Sequence, residues 1–414
     1  MFRYLPVLLI FFACNTPETT VVATTKPSIE DQFAGFWLGQ CIANWTGLVT
    51  EMDKVGNIGD IQTGAFYTRE DWGGPDQPNI WSGDTISHLS PTIDFVLVKP
   101  DSAWGADDDT DIEYIYQELL LRHDTALLSP TQIRDGWLRH IKSDEENYLW
   151  VSNERALRLM EDGTLPPATS NPTNNEHYDM IDAQLTTEIF GLYAPGDVDL
   201  ALRLAELPIR VAAAEEAAEI ARFYVALYAL AADTELAAGE KAPVQELADA
   251  AKTQLVEGHY PRAMYEFVKA RHAAGIPWEQ CRDEIYQRYQ VTGADGYDVT
   301  SRKLYCNGCF AAGINFAASL VSLFYGDGDF VETVKIGTLA GWDSDNPTAT
   351  WGGLLGFMYG REAIQSLFDE PLSDRFWIHR TRVGFAGDGF DDFSSMAAKG
   401  VRVRELVERL EAVN

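Results

Sequence analysis

Residues 105–117 read GADDDTDIEYIYQ, and residues 341–360 read GWDSDNPTATWGGLLGFMYG. Each stretch opens on a glycine, gathers carboxylates within a few positions and runs into a helical pattern. In the first, Asp107, Asp108 and Asp109 are consecutive. Neighbours on a helix point about 100 degrees apart, so they cannot share a helix face and belong on the turn that enters it. Thr110 and Glu113 have the Thr-x-x-Glu spacing of a capping box, and Ile112, Ile115, Tyr116, Leu119 and Leu120 follow at helical intervals. A helix amino terminus offers free N–H groups and a positive dipole end, which eases the gathering of negative charge. Adjacent like charges still repel unless a cation lies among them, and magnesium or calcium prefers such oxygen ligands.

The second stretch repeats the layout. Gly341 and Trp342 turn the chain, Asp343 and Asp345 supply carboxylates, Asn346 is placed to cap, and Pro347 takes the first helical position. Gly352, Gly356 and Gly360 then recur every fourth residue. A glycine inside a helix costs about 1 kcal/mol relative to alanine, so such a stripe implies very close helix packing. This helix is therefore expected to run through the middle of a bundle and to carry Asp343 and Asp345 to an interior cleft. The row Phe33 to Glu51, FAGFWLGQCIANWTGLVTE, has its own small-residue face at Gly35, Gly39 and Ala43.

Outward from these stretches, helical spacing predicts helices over Ser129–Lys142, Glu145–Met160, Gln184–Leu192, Val198–Leu207, Ala213–Ala232 and Val244–Gln254. It continues over Tyr260–Ala274, Trp278–Tyr289, Cys309–Phe324, Asp329–Leu339 and Val401–Ala412. Met52–Lys99, rich in Gly, Asp, Pro and Trp, reads as a long loop region, with Thr92–Val98 the best strand candidate of the chain. The fold class expected is all-α, a single helical domain over residues 30–414 with a loop-rich insertion.

The net charge of -31, from 63 acidic and 32 basic residues, argues against a nucleic-acid partner, because such binding relies on basic groups. Hydrophobic residues at 46% exclude a disordered polymer. At the amino terminus Arg3 precedes an apolar run from Leu5 to Phe12 and then Ala13-Cys14. The run is too short for a membrane span but suits an export signal, residues 1–14. A small residue before Cys14 has the form of a bacterial lipoprotein cleavage site, and the Thr- and Pro-rich residues 15–29 read as a tether. The expected location is outside the cytoplasm, with the membrane reached only through a lipid on Cys14.

Cys41, Cys281, Cys306 and Cys309 leave the disulfide pairing open; Cys306-Asn307-Gly308-Cys309 fits buried thiols or a local disulfide better than a zinc site. The histidines show no paired metal spacing, and there is no Gly-x-Ser-x-Gly elbow.

The stretches 105–117 and 341–360 resemble the first and second metal motifs of the ADP-ribosylglycohydrolase family. IFGLYAPGDVDLALRLAEL, residues 189–207, is similar to the family's central stretch, and residues 35–51 to its opening helix. The resemblance implies an all-α bundle with two divalent cations, usually magnesium, with calcium or manganese as substitutes. It implies Asp107, Asp108, Asp109, Asp343, Asp345 and Asn346 as metal ligands, and Glu51 close to the scissile bond. Several positions depart from the family pattern: Asp107 stands where Thr or Ser is common, Asn44 where Asp is common, Trp342 where Gly is common and Asn346 where Thr is usual. The central Asn-Gly pattern is not intact around Asp182-Ala183-Gln184.

Cations between the clusters would chelate a vicinal diol of a ribose or similar sugar, with Asp345, Glu51 and Asp108 as the catalytic candidates and nearby carboxylates stabilising an oxocarbenium-like state. Asn44, Trp104 and Trp342 are candidates for substrate contact, and the Trp-rich insertion for a sugar-stacking wall. The expected substrate is a small molecule or a glycosylated group, carrying an N- or O-glycosidic bond of ADP-ribose or a related ribosyl compound. The alternatives are a glycoside or nucleoside hydrolase acting on another sugar, and a non-catalytic ligand-binding lipoprotein of the same fold.

Overall fold

The computed structural model describes residues 27–143, 146–237, 239–298 and 305–413. The export signal and most of the tether lie outside the described residues. Among those described the chain is mainly helical, with few and short strands. It begins with α1 (Ile29–Gly47), α2 (Asp108–Arg122), α3 (Pro130–His140), α4 (Val151–Glu161), α5 (Ile189–Leu192), α6 (Val198–Ala212), α7 (Glu215–Ala232) and α8 (Val244–Ala251). It continues with α9 (Tyr260–Ala273), α10 (Trp278–Ile285), α11 (Ala312–Gly326), α12 (Phe330–Ala340), α13 (Asp345–Tyr359), α14 (Arg361–Gln365) and α15 (Phe393–Val413). Among the described residues no helix is long and apolar enough to cross a membrane.

Two small-residue stripes meet at the centre. α1 and α13 pack along one another, and a side chain at Gly39 would fall on the carbonyl of Gly352, one at Gly356 on the carbonyl of Gly35. Their glycines thus face each other backbone to backbone. This contact repays the helix-propensity cost, since every residue of α13 is buried. α12 covers α13, α15 and α14 cover α1, and α7 closes the core against α5 and α6.

Polar bonds then fix where the central pair ends. Ser344 Oγ bonds the Gly47 carbonyl at 3.0 Å and lies 3.0 Å from Thr50 Oγ1, so the start of α13 is tied to the end of α1. Met52 N–H donates to the Trp342 carbonyl and Trp342 N–H to the Lys54 carbonyl, both at 2.8 Å. Glu51 is thereby carried beside Asp343 and Asp345. An antiparallel pair, β1 (Asn57–Ile58) and β2 (Ile61–Gln62), lies in the insertion, and a small sheet, β3 (Trp104–Gly105) parallel to β4 (Arg375–Trp377) and β4 antiparallel to β5 (Phe390–Asp392), holds the segment that enters α2.

Several local expectations are corrected. Thr92–Val98 forms no strand and makes only a single bridge, from Thr92 to Pro75; its Gly- and Pro-rich surroundings supply no partner strand. The residue that caps α2 is Asp107, whose carboxylate accepts the Asp108 N–H at 2.8 Å, so Thr110 lies within the helix. Glu113 turns into the core, accepting from Gln40 Nε2 at 2.7 Å and Ile189 N–H at 2.9 Å. α13 starts after Ser344, earlier than Asn346 and Pro347 suggested, because the bonds to α1 bring Asp345 into the first turn. The helix expected from Glu145 begins at Val151, Glu145 itself lying outside the described residues. Cys306 and Cys309 are joined, while Cys41 and Cys281 are free and buried.

Candidate metal centre and active site

The carboxylates at the start of α2 and those at the start of α13 line one cleft of about 190 Å³, together with Glu51 and Asp182. They fall into two groups. Asp107, Asp108 and Asp109 each offer an oxygen within 4.8 Å of the others, and so do Glu51, Asp343 and Asp345. Two amides stitch the groups together. Asn44 Nδ2 donates to Asp109 Oδ2 at 3.0 Å and to Asp345 Oδ2 at 3.5 Å, and Asn346 Nδ2 donates to Asp109 Oδ1 at 3.0 Å. Asp182, which also lines the cleft, accepts from Ser152 Oγ at 2.6 Å and Asn153 N–H at 3.1 Å.

This much negative charge in one place distorts the acids. Burial, then the charges of Asp345 and Asp107, raises Glu51 well above the usual carboxylate range. Burial and Asp345 do the same to Asp109, burial and Asp107 to Asp108. Asp343 is raised by burial and Glu51, and Asp345 by burial and Asp343. Among the described residues none of these five, nor Asp107, forms an ion pair. Asp345 Oδ1 is buried without a hydrogen-bond partner. Closely spaced hard oxygen donors, uncompensated and partly unbonded, fit divalent cations: Asp107, Asp108 and Asp109 for one, Glu51, Asp343 and Asp345 for another.

Aromatic rings form the outer wall of the cleft. Trp81 from the insertion stacks on Trp150 with centroids 6.4 Å apart and planes at 5°, and on Phe310 at 5.7 Å and 14°. Trp81 and Trp150 are 43% and 49% exposed, high values for the largest apolar side chains.

The ADP-ribosylglycohydrolase family model matches residues 25–399. The chain belongs to the ADP-ribosylglycohydrolase family. It is accordingly a hydrolase of the ADP-ribosylglycohydrolase type, from a family that acts on small-molecule substrates. A solved structure of an ADP-ribosylglycohydrolase-related protein complex aligns with a TM-score of 0.51 at 18% identity, covering 92% of this chain and 99% of that one, a likeness of fold. No curated protein matches.

The structure brings Glu51, Asp107, Asp108, Asp109, Asp343 and Asp345 to the one cleft. Asn44 and Asn346 sit behind them, 1% exposed, as donors to Asp109. The expectation that Trp104 and Trp342 contact substrate is corrected. Both are 0% exposed: Trp104 Nε1 donates to the Ser373 carbonyl at 3.0 Å and Trp342 Nε1 to Gln290 Oε1 at 2.7 Å. Apolar indoles with a satisfied N–H belong to the core. Sequence reasoning did not single out Tyr148, Trp150 and Phe310 as cleft residues, nor Asp182 except as a broken motif position. Exposed aromatics cannot be told from buried ones in irregular segments without the fold.

Proposed function

We propose that the chain is an exported, metal-dependent glycosidase that hydrolyses the N- or O-glycosidic bond of ADP-ribose or a related ribosyl compound. The observation that carries this reading is the convergence of two carboxylate groups from the starts of α2 and α13, linked by Asn44 and Asn346, beside Glu51. Divalent cations bound there would offset the charge and supply a chelating surface for a vicinal diol.

The remaining roles belong to the chain's own residues. Asn44 and Asn346 orient Asp109, leaving its lone pairs directed by two fixed donors. Glu51, reaching the cleft from the turn that follows α1, holds or accepts the proton of the attacking water at its carboxylate. Asp345, with one oxygen unbonded, faces the same space and stabilises positive charge developing on the sugar. The aromatic wall of Trp81, Trp150 and Phe310 shields the cleft and stacks on the substrate.

That wall also favours a second reading, in which the sugar or its leaving group differs from ADP-ribose, since stacked rings accept many planar or apolar faces. Export rests on the leader ending at Ala13-Cys14, and the Cys306–Cys309 bond supports an oxidising location. The test is a screen of the purified chain against ADP-ribosylated protein, nucleosides and simple glycosides, with magnesium and with EDTA. Magnesium-dependent release of ADP-ribose supports the first reading, release only from other glycosides the second, and no release from any of them overturns both.

A further inference from the structure

The turn closed by Cys306 and Cys309 plays no part in the chemistry above, yet it is wired to the metal-ligand segment by two buried amides. Asn315, 1% exposed, donates from Nδ2 to the Cys309 carbonyl at 2.8 Å and to the Ala311 carbonyl at 3.0 Å. Its Oδ1 accepts the backbone N–H of Asp343 at 3.2 Å. Gln290 does the same one residue earlier: Nε2 donates to the Asn307 carbonyl at 3.2 Å, and Oε1 accepts Trp342 Nε1 at 2.7 Å. Gln290 lies in a π-helical turn, Tyr286–Val291, a wide form that concentrates at functional positions.

Both ends of these bridges have unfavourable backbones. Cys306, Asn307 and Gly308 have φ of 60°, 52° and 84° in succession, and Trp342 has φ of 59°. Side chains other than glycine hold such conformations only when their surroundings enforce them. Around the turn the enforcing bonds are the disulfide, the two amides and Asn307 Nδ2, which donates to the Ile58 carbonyl at 2.6 Å. The residue after Cys309 is Phe310, whose ring lines the cleft.

Resting on the metal-dependent reading, we infer that Asn315 and Gln290 are positioning residues that anchor Trp342-Asp343 to the disulfide-closed turn, so that opening Cys306–Cys309 weakens cation binding in the cleft. The opening is a reduction by an external dithiol: the S–S bond breaks, the two sulfurs take up two electrons and two protons as thiols, and the dithiol becomes its own disulfide. Released from the cross-link, Cys306 and Asn307 relax from the left-handed region. Asn315 and Gln290 then lose the fixed carbonyls that orient them, and the Asp343 N–H loses its acceptor.

The test uses the full chain, reduced with dithiothreitol and desalted anaerobically, with reduction verified by alkylation of two further cysteines. Calorimetric titration with Mn²⁺ is expected to show binding about 10-fold weaker than in the oxidised chain, the cost typical of losing a partner that orients a metal ligand. Amide hydrogen exchange of the metal-free protein should speed up over residues 341–345. Asn315→Leu, left oxidised, should show both changes and make Mn²⁺ affinity less sensitive to dithiol, the Gln290 bridge remaining. Equal Mn²⁺ affinity and equal exchange in the reduced and oxidised wild type would overturn the inference, and that arm decides alone should Asn315→Leu fail to fold. Neither readout involves hydrolysis, so a failure to cleave any glycoside leaves this result standing. Should Mn²⁺ not bind at all, the metal reading fails and exchange at 341–345 still decides whether the turn positions Asp343.

Discussion

Asn346, in the first turn of α13, donates from Nδ2 to Oδ1 of Asp109, in the first turn of α2, at 3.0 Å across 237 positions of sequence. With Asn44 on the other oxygen of the same carboxylate, Asp109 is the point where the two acidic groups are joined. Replacing Asn346 by Leu leaves Asp109 with one donor fewer in a buried site. The expected result is Mg²⁺ binding weakened about 10-fold or more with the fold retained, read by titration calorimetry and circular dichroism.

Without cations the same carboxylates oppose folding. Raised folded-state pKa values mean that each acid's contribution is fully present below its ordinary value and is lost as pH rises through the folded value. Metal-free protein should therefore melt at a lower temperature at pH 8 than at pH 5.5, and saturating magnesium should reverse the difference. At about 100 times Kd the added stability is about 2.7 kcal/mol per site. Asp345→Asn should raise the melting temperature of the metal-free chain at pH 8 and abolish the gain from magnesium at the second site.

A second buried acid pair lies away from the cleft. Glu113 and Glu188 face one another in the core, and burial pushes Glu188 up to about 7 from an ordinary 4.5, with Glu113 raised by burial and by Glu188. Their stabilising effect is complete below about 4.5 and is lost towards pH 7 and above. Glu188→Gln, which keeps an acceptor for Thr350, should flatten this decline and stabilise the chain by roughly 2 kcal/mol at pH 8, read by denaturant unfolding at pH 5 and 8.

The central helix pair is predicted to reject the smallest side chain. Gly39→Ala would gain about 1 kcal/mol in helix propensity. Its methyl would strike the Gly352 carbonyl, and overpacking of this kind costs about 3 kcal/mol. The net loss, about 2 kcal/mol, should appear as a lower denaturation midpoint with an unchanged slope.

Much of this arrangement was legible in the sequence because its signals are local and periodic. Carboxylate runs after a glycine mark helix starts, and four-residue glycine spacing marks a close helix contact, so Asp107 to Asp109, Asp343, Asp345 and the packing of α13 could be read directly. The partner of that contact, α1, and the stitching by Asn44 and Asn346 depend on long-range placement that no local pattern encodes. Trp104 and Trp342 were misread because an indole in a core and an indole at a cleft have the same sequence signature; only the distant acceptors, Ser373 and Gln290, decide between them. Residues 92–98 failed as a strand for lack of a partner, which is again non-local.

Trp81 offers a test of the aromatic wall. Its ring stacks on Trp150 and Phe310 in the cleft wall, so Trp81→Ala should raise KM for a cleaved substrate by up to about 10-fold while changing kcat little, as expected for lost stacking. A fall in kcat with unchanged KM would instead place Trp81 in the reacting geometry.

The most direct measurement is an anomalous-diffraction map of crystals equilibrated with Mn²⁺. The account predicts density within bonding distance of Asp107, Asp108 and Asp109, and again among Glu51, Asp343 and Asp345. Crystals saturated with Mn²⁺ that showed no anomalous density between these carboxylates would contradict it.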